Sequence, residues 1–160
     1  MAMVVVDSEN VANWEWFLNH LKVVVGTYRQ ITFISDRHVG LKNGVPKVFD
    51  NSFHAYCLFH LKKNFISSLP KNFRKKKLAL QLFTSCANAR TVDVYREHYR
   101  DLIILVGKTI DKFLETAPVE RWVTAFLPGR RYGVMTSNMA ESYNSWIINE
   151  RNLPITTMLD

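Results

Sequence analysis

Ala2-Met3-Val4-Val5-Val6 is a short apolar, β-branched run with the pattern of a buried strand. Asp7-Ser8-Glu9-Asn10 directly after it supplies turn and helix-cap chemistry, and Asp7 and Glu9 suit the positive end of a following helix dipole. Trp14, Phe17, Leu18 and Leu21 then fall at i, i+3, i+4 and i+7, one apolar stripe of a helix that Gly26 can stop. Ile31 to Ser35 reads as a second strand ending at Asp36-Arg37. The order strand, helix, strand predicts a parallel crossover in an α/β sheet. Leu41 to Phe49 reads as a short helix interrupted by Pro46, and His54 to Phe59 as a third strand running into a basic helix with Asn64 and Phe65.

Beyond Pro70 the pattern turns helical. Leu78, Leu82 and Phe83 begin one helix; Tyr95, Leu102, Leu105 and Val106 mark a second and a third before Pro118. Pro128-Gly129-Arg130-Arg131-Tyr132-Gly133 is the clearest loop. Met139, Tyr143, Trp146 and Ile147 repeat at i, i+4, i+7 and i+8, which predicts a last helix from about Asn138 to Arg151, before Pro154.

A length of 160 residues is the size of one domain, and 48% apolar with 22% charged residues excludes a disordered chain. No apolar run approaches the roughly 18 residues of a membrane span, and Met1 to Val6 lacks the length and basic start of a signal peptide, so an intracellular protein is expected. Cys57 and Cys86 cannot form a disulfide framework. Charge changes the picture more. Residues 61–100 hold ten Lys or Arg against Asp93 and Glu97, a local +8 in a chain of net +7. Lys62, Lys63, Lys71, Arg74, Lys75, Lys76 and Lys77 form its densest part. Such a patch attracts phosphate by counterion release and makes DNA the leading partner class, against a solvated helix face or a nuclear-import run.

Two acids stand where chemistry can use them. Asp36 closes a buried strand at its carboxyl end, where open α/β sheets place ligands; the alternative is a surface turn. Glu141 lies in the first turn of the last helix, and two such carboxylates from distant segments suit Mg²⁺ or Mn²⁺. Asn138-x-x-Glu141 is also the spacing of a capping box. Cys57-x-x-His60 offers a thiolate and an imidazole at zinc-ligand spacing, but a closed site needs four ligands, and His54, Cys86 and His98 could contribute only through the fold. A Cys57 nucleophile with a histidine base is a further, weaker alternative.

Four blocks in order carry a resemblance. These are Val6-Asp7-Ser8-Glu9-Asn10 with Trp14-x-Trp16-Phe17-Leu18, then Ile31 to Arg37, then His54-x-Tyr56-Cys57-x-x-His60-Leu61-x-x-Asn64-Phe65, and Met135 to Asn138 with Glu141, Ser142, Asn144 and Trp146. Together they resemble the plant Mutator-like (MULE) transposase domain, related to the far-red-impaired-type regulators.

The resemblance implies a partial ribonuclease-H-like (DDE transposase) α/β fold with an all-helical insertion, lacking its first strands. Residues 1–66 would be the partial core, 67–134 the basic insertion and 135–160 the return to the core with the third acid. It implies two-metal DNA strand cleavage and transfer in the intact family, with Asp36 as second and Glu141 as third acid and Mg²⁺ or Mn²⁺ between them. Cys57 and His60 match the family's Cys-x-x-His motif, which supports the active site or the DNA end.

The family's first acid lies upstream of the segment matched by Val4 to Val6. The expectation is therefore a fragment inactive alone, binding no metal by itself, with unpaired strand edges. A nuclear location is implied, with DNA and either a homo-oligomer or a transposase-like chain as partners and no membrane. A non-catalytic, transposase-derived DNA-binding or transcription-regulating protein is the alternative; a basic α/β interaction module whose acids are caps is the plainest.

Overall fold

The structure is a computed structural model that describes residues 4–26, 28–146 and 148. Helix α1 (Val11–Val25) begins at Asn10, whose side chain accepts the Asn13 N–H. It ends at Gly26, whose φ of 74° only glycine adopts without strain and whose N–H returns to Lys22 C=O. Strand β1 (Ile31–Ser35), helix α2 (Val39–Val48) and strand β2 (Ser52–Tyr56) follow. The strands are parallel, in register from Ile31 opposite Ser52 to Ser35 opposite Tyr56, so α2 is the crossover. The crossover expected from Ala2–Val6 to Ile31 is therefore displaced by one element. Val4, Val5 and Val6 lie in no strand; Asn13 Nδ2 donates to Asp7 Oδ1 and Ser8 C=O, which draws the preceding chain to the start of α1.

Pro46 does not interrupt α2. It stands near the helix end, and its missing N–H faces the carbonyl of Lys42; both residues are exposed, so water can satisfy that group. Gly40 and Gly44, four residues apart, let α1 approach α2 closely: a Cβ at Gly40 would stand 2.6 Å from Trp14 Cδ1 and one at Gly44 2.8 Å from Leu18 Cδ1. Leu18, Leu41, Val45, Val48 and Phe49 form this core with Phe33 of β1 against it.

The third strand also ends earlier than expected. Leu58 starts helix α3 (Leu58–Ser68), because Cys57 N–H makes the last ladder bond, to Ser35 C=O, and Leu58 N–H turns to Met135 C=O. Helices α4 (Lys76–Asn88), α5 (Val92–Val106) and α6 (Thr109–Thr116) and a 3-10 turn (Val119–Arg121) pack with α3 around a second core. Its centre is Phe83, stacked between Phe65 (4.5 Å) and Trp122 (4.6 Å). Helix α7 (Asn138–Trp146) follows; of the extension expected to Arg151, Ile148 stands in a turn and the other positions past Trp146 lie outside the described residues. The architecture is mixed α/β, mostly helical, with a two-stranded parallel sheet. No helix of the described residues is long and apolar enough to cross a membrane.

Candidate functional site

The carboxyl end of β1 is tied down by its own side chains. Ser35 Oγ donates its single proton to Asp36 C=O at 2.8 Å, so the 2.8 Å contact with His54 Nε2 makes that nitrogen the donor and sets the tautomer. His54 is 3% exposed. Burial, then the Arg121 charge, push its pKa down to about 4, with Asp36 opposing and Lys42 adding to the shift. It is a neutral hydrogen-bonding group at physiological pH. Arg121 Nη1 also donates to the His54 carbonyl at 3.1 Å.

Asp36 is half-buried, and its Oδ1 accepts the His38 N–H at 3.1 Å, an Asx turn; His38 Nδ1 in turn accepts Gly40 N–H at the start of α2. Arg37 is drawn off to Thr116, bonding its carbonyl and hydroxyl, and lies over the Phe113 ring.

Cys57 joins this strand tip to the chain before α7. The residue is fully buried; its N–H donates to Ser35 C=O (2.7 Å), and its Sγ accepts Ser137 N–H (3.3 Å). Leu58 N–H donates to Met135 C=O at 2.8 Å. Segments about a hundred residues apart in sequence thus meet through one cysteine, and α7 starts at the next residue, Asn138. Glu141 lies four positions past Ser137, about 6 Å along a helix axis; its side chain lies outside the described residues.

Two carboxylates are hard oxygen donors suited to Mg²⁺ or Mn²⁺. Among the described residues, however, no three His, Cys, Asp or Glu gather to hold an ion, and Asp36 by itself is not such a site. Nor do the described residues assemble a zinc set around Cys57: its sulfur takes a backbone N–H, half-buried His60 packs edge-on against Phe59 (5.5 Å), and Cys86 is buried in the helical core with its thiol pushed up to about 12 by desolvation.

The basic residues lie on the helical side. Lys63, Lys71, Arg74, Lys75 and Lys77 are exposed; Lys62 and Lys76 are half-buried. Lys63 stands over the Phe59 ring, and Lys76 Nζ reaches Lys71 C=O. None of the seven forms an ion pair with a described acid. Helix α4 opens on Lys75, Lys76 and Lys77 with no acid in its first turn, so cations sit at the positive end of a helix dipole. That placement opposes the dipole by about 0.3–1 kcal/mol per charge and is relieved by an anion.

His54, Ser35 and Arg121 were not legible as parts of the strand tip. A histidine alternating with apolar residues in a buried strand was the available signal for His54. Nothing in the sequence linked Arg121 to it; Ser137 stood in the block expected to return to the core, without a role of its own.

No curated protein and no solved structure matches the chain. Residues 1–64 match the family model of the MULE transposase domain, and this segment supplies both strands, Asp36, Cys57 and His60.

Proposed function

We propose that the chain is a piece of the catalytic domain of a plant Mutator-like DNA transposase: a partial ribonuclease-H-like core over 1–66, a basic helical insertion over 67–134, and a return to the core over 135–160. The observation that carries this reading is the Cys57 junction, where the end of the strand bearing Asp36 meets the residues leading into the helix bearing Glu141. Convergence of two acids from distant segments at a strand tip is what phosphoryl-transfer chemistry needs.

In this reading Asp36 and Glu141 are the second and third acids, and Mg²⁺ or Mn²⁺ bound by them would lower the pKa of an attacking water. The chain's own residues position: His38 N–H orients the Asp36 carboxylate, and Ser35 and neutral His54 fix the backbone beneath it. Cys57 and His60 support the site. Lys62, Lys63, Lys71 and Arg74 to Lys77 hold DNA phosphates. With two matched acids, the chain alone binds DNA in the nucleus without cleaving it and without retaining metal. A second copy of this chain or a transposase-like chain is the partner of this reading, and only a chain that carries the first acid completes the set for cleavage. The alternative, a non-catalytic DNA-binding regulator of far-red-impaired type, is favoured by one feature: the cations opening α4, which pair with no described acid, need no catalytic acid to bind DNA.

Fluorescence anisotropy on a short duplex across salt concentrations tests the DNA reading. Glutamine at Arg74, Lys75, Lys76 and Lys77 together is expected to flatten the slope of log K against log salt by about 3 to 4, at roughly 0.9 per lost phosphate contact. Unchanged affinity and slope would remove the patch from the interface.

A further inference from the structure

The apolar face of α3 is complete without Phe59. Leu58, Leu61 and Phe65 fall at i, i+3 and i+7 and are buried in the helical core. Phe59 falls on the far side of the helix, in one ridge with Lys63 and Ser67 at i, i+4 and i+8, and all three are exposed. Its ring stands 41% exposed in the most basic stretch of the chain. It follows β2 by three residues, so strands added at the free edge of β1 would extend the sheet away from it.

The surroundings of the ring are cationic and ordered. Lys63 Nζ lies over it, 5.0 Å from the centroid, and half-buried His60 packs edge-on at 5.5 Å, which steadies its orientation. No Asp or Glu occurs in the sequence between Asp50 and Asp93, and Lys62 and Lys63 pair with no described acid. The start of α3 is itself held at the strand tip, because Leu58 N–H donates to Met135 C=O and Cys57 Sγ accepts Ser137 N–H.

We propose that Phe59 is a stacking platform for an unpaired nucleotide of the bound DNA, with Lys62 and Lys63 on its flanking phosphates; this rests on the DNA reading above. A nucleotide joins a flat π face and an anion in one unit, the two surfaces that Phe59 and its lysines offer. Inside a duplex both faces of every base are covered by neighbouring pairs, so a ring on a helix surface meets a base face where the strand is unpaired. A base stacked on an aromatic ring binds more strongly than an ammonium over an exposed one, so the base displaces Lys63 and the released ammonium turns to the adjacent phosphate.

The test is fluorescence anisotropy of the full chain with two forked duplexes, whose unpaired arms are thymidines in one and abasic residues in the other, so that the phosphate count is equal. The thymidine fork is expected to bind about fivefold to a hundredfold more tightly. Phe59→Ala and Phe59→Leu should bring the ratio of the two affinities near one, and Phe59→Trp should keep it. A wild-type ratio of one, with both forks bound, would overturn the platform and leave the DNA reading standing. Binding of neither fork would overturn both. A ratio that Phe59→Ala leaves unchanged would place the stacking ring elsewhere, and one that Phe59→Leu retains would reduce the contact to apolar burial; either result overturns the proposal.

Discussion

Lowering the pH from 7 to 5 is expected to destabilise the fold through His54, and the cost follows from its surroundings. The imidazole is buried, donates to Ser35 Oγ, and sits in the field of the Arg121 guanidinium that binds its own carbonyl. Its folded pKa of about 4 lies below the ordinary 6.5. Between those values the unfolded chain binds the proton and the folded chain does not, so stability rises with pH. The contribution is present above about 6.5, falls as pH drops below that, and is gone below about 4. At 1.36 kcal/mol per unit the full difference is about 3 kcal/mol, of which about 2 is lost between pH 7 and 5.

Urea unfolding of wild type and His54→Asn across this range isolates the term, because every other ionisable group is common to the two proteins. The wild type should lose about 2 kcal/mol more than the variant. NMR supplies the direct readout: the His54 ring signals should stay unshifted down to pH 5. A His54 midpoint near 6.5, or parallel pH profiles for the two proteins, would refute the reasoning.

Other expectations concern the two cores. Phe83→Ala empties the space between Phe65 and Trp122 and should cost about 3–5 kcal/mol in urea unfolding; a loss below about 1 would mean the stack is not a cohesive core. Gly40→Ala should cost about 1–3 kcal/mol, because its methyl meets the Cβ and Cγ of Trp14, which cannot swing away. Gly44→Ala should cost less, since only the terminal Leu18 Cδ1 must move and alanine favours the helix. The reverse order in thermal unfolding would contradict the α1–α2 packing.

Local pattern carried much of the fold and little of the site. The stripe through Trp14, Phe17, Leu18 and Leu21 and the stop at Gly26 mark α1, because helix period and glycine's conformational range are properties of a few neighbouring residues. Residues Ile31 to Ser35 likewise declare a strand. Val4 to Val6 have equal β propensity, yet their place was decided by Asn13 holding Asp7 and Ser8, a contact that propensity does not encode. The end of β2 was misjudged for the same kind of reason: Met135 captures the Leu58 N–H, and nothing near residue 58 announces that partner.

The spacing of Gly40 and Gly44 on one helix face was a readable signal of close packing that the hydrophobic pattern passed over. At the site, Asp36 was legible from its position at a strand end. The Cys57–His60 spacing drew attention to the right place with metal chemistry as one reading. What Cys57 does among the described residues is accept a backbone N–H from Ser137, a tertiary bond that spacing alone could not reveal.

The meeting of the two acid-bearing segments is tested most directly by a nitroxide label on Glu141→Cys; Cys57 and Cys86 are fully buried, which directs the reagent to the introduced thiol. Paramagnetic broadening of the Asp36 and Arg37 amide signals is the expected result. Sharp Asp36 and Arg37 signals, in a sample where those of Ser137 to Ala140 are broadened away, would show that helix and strand tip point apart and would contradict a shared phosphoryl-transfer site.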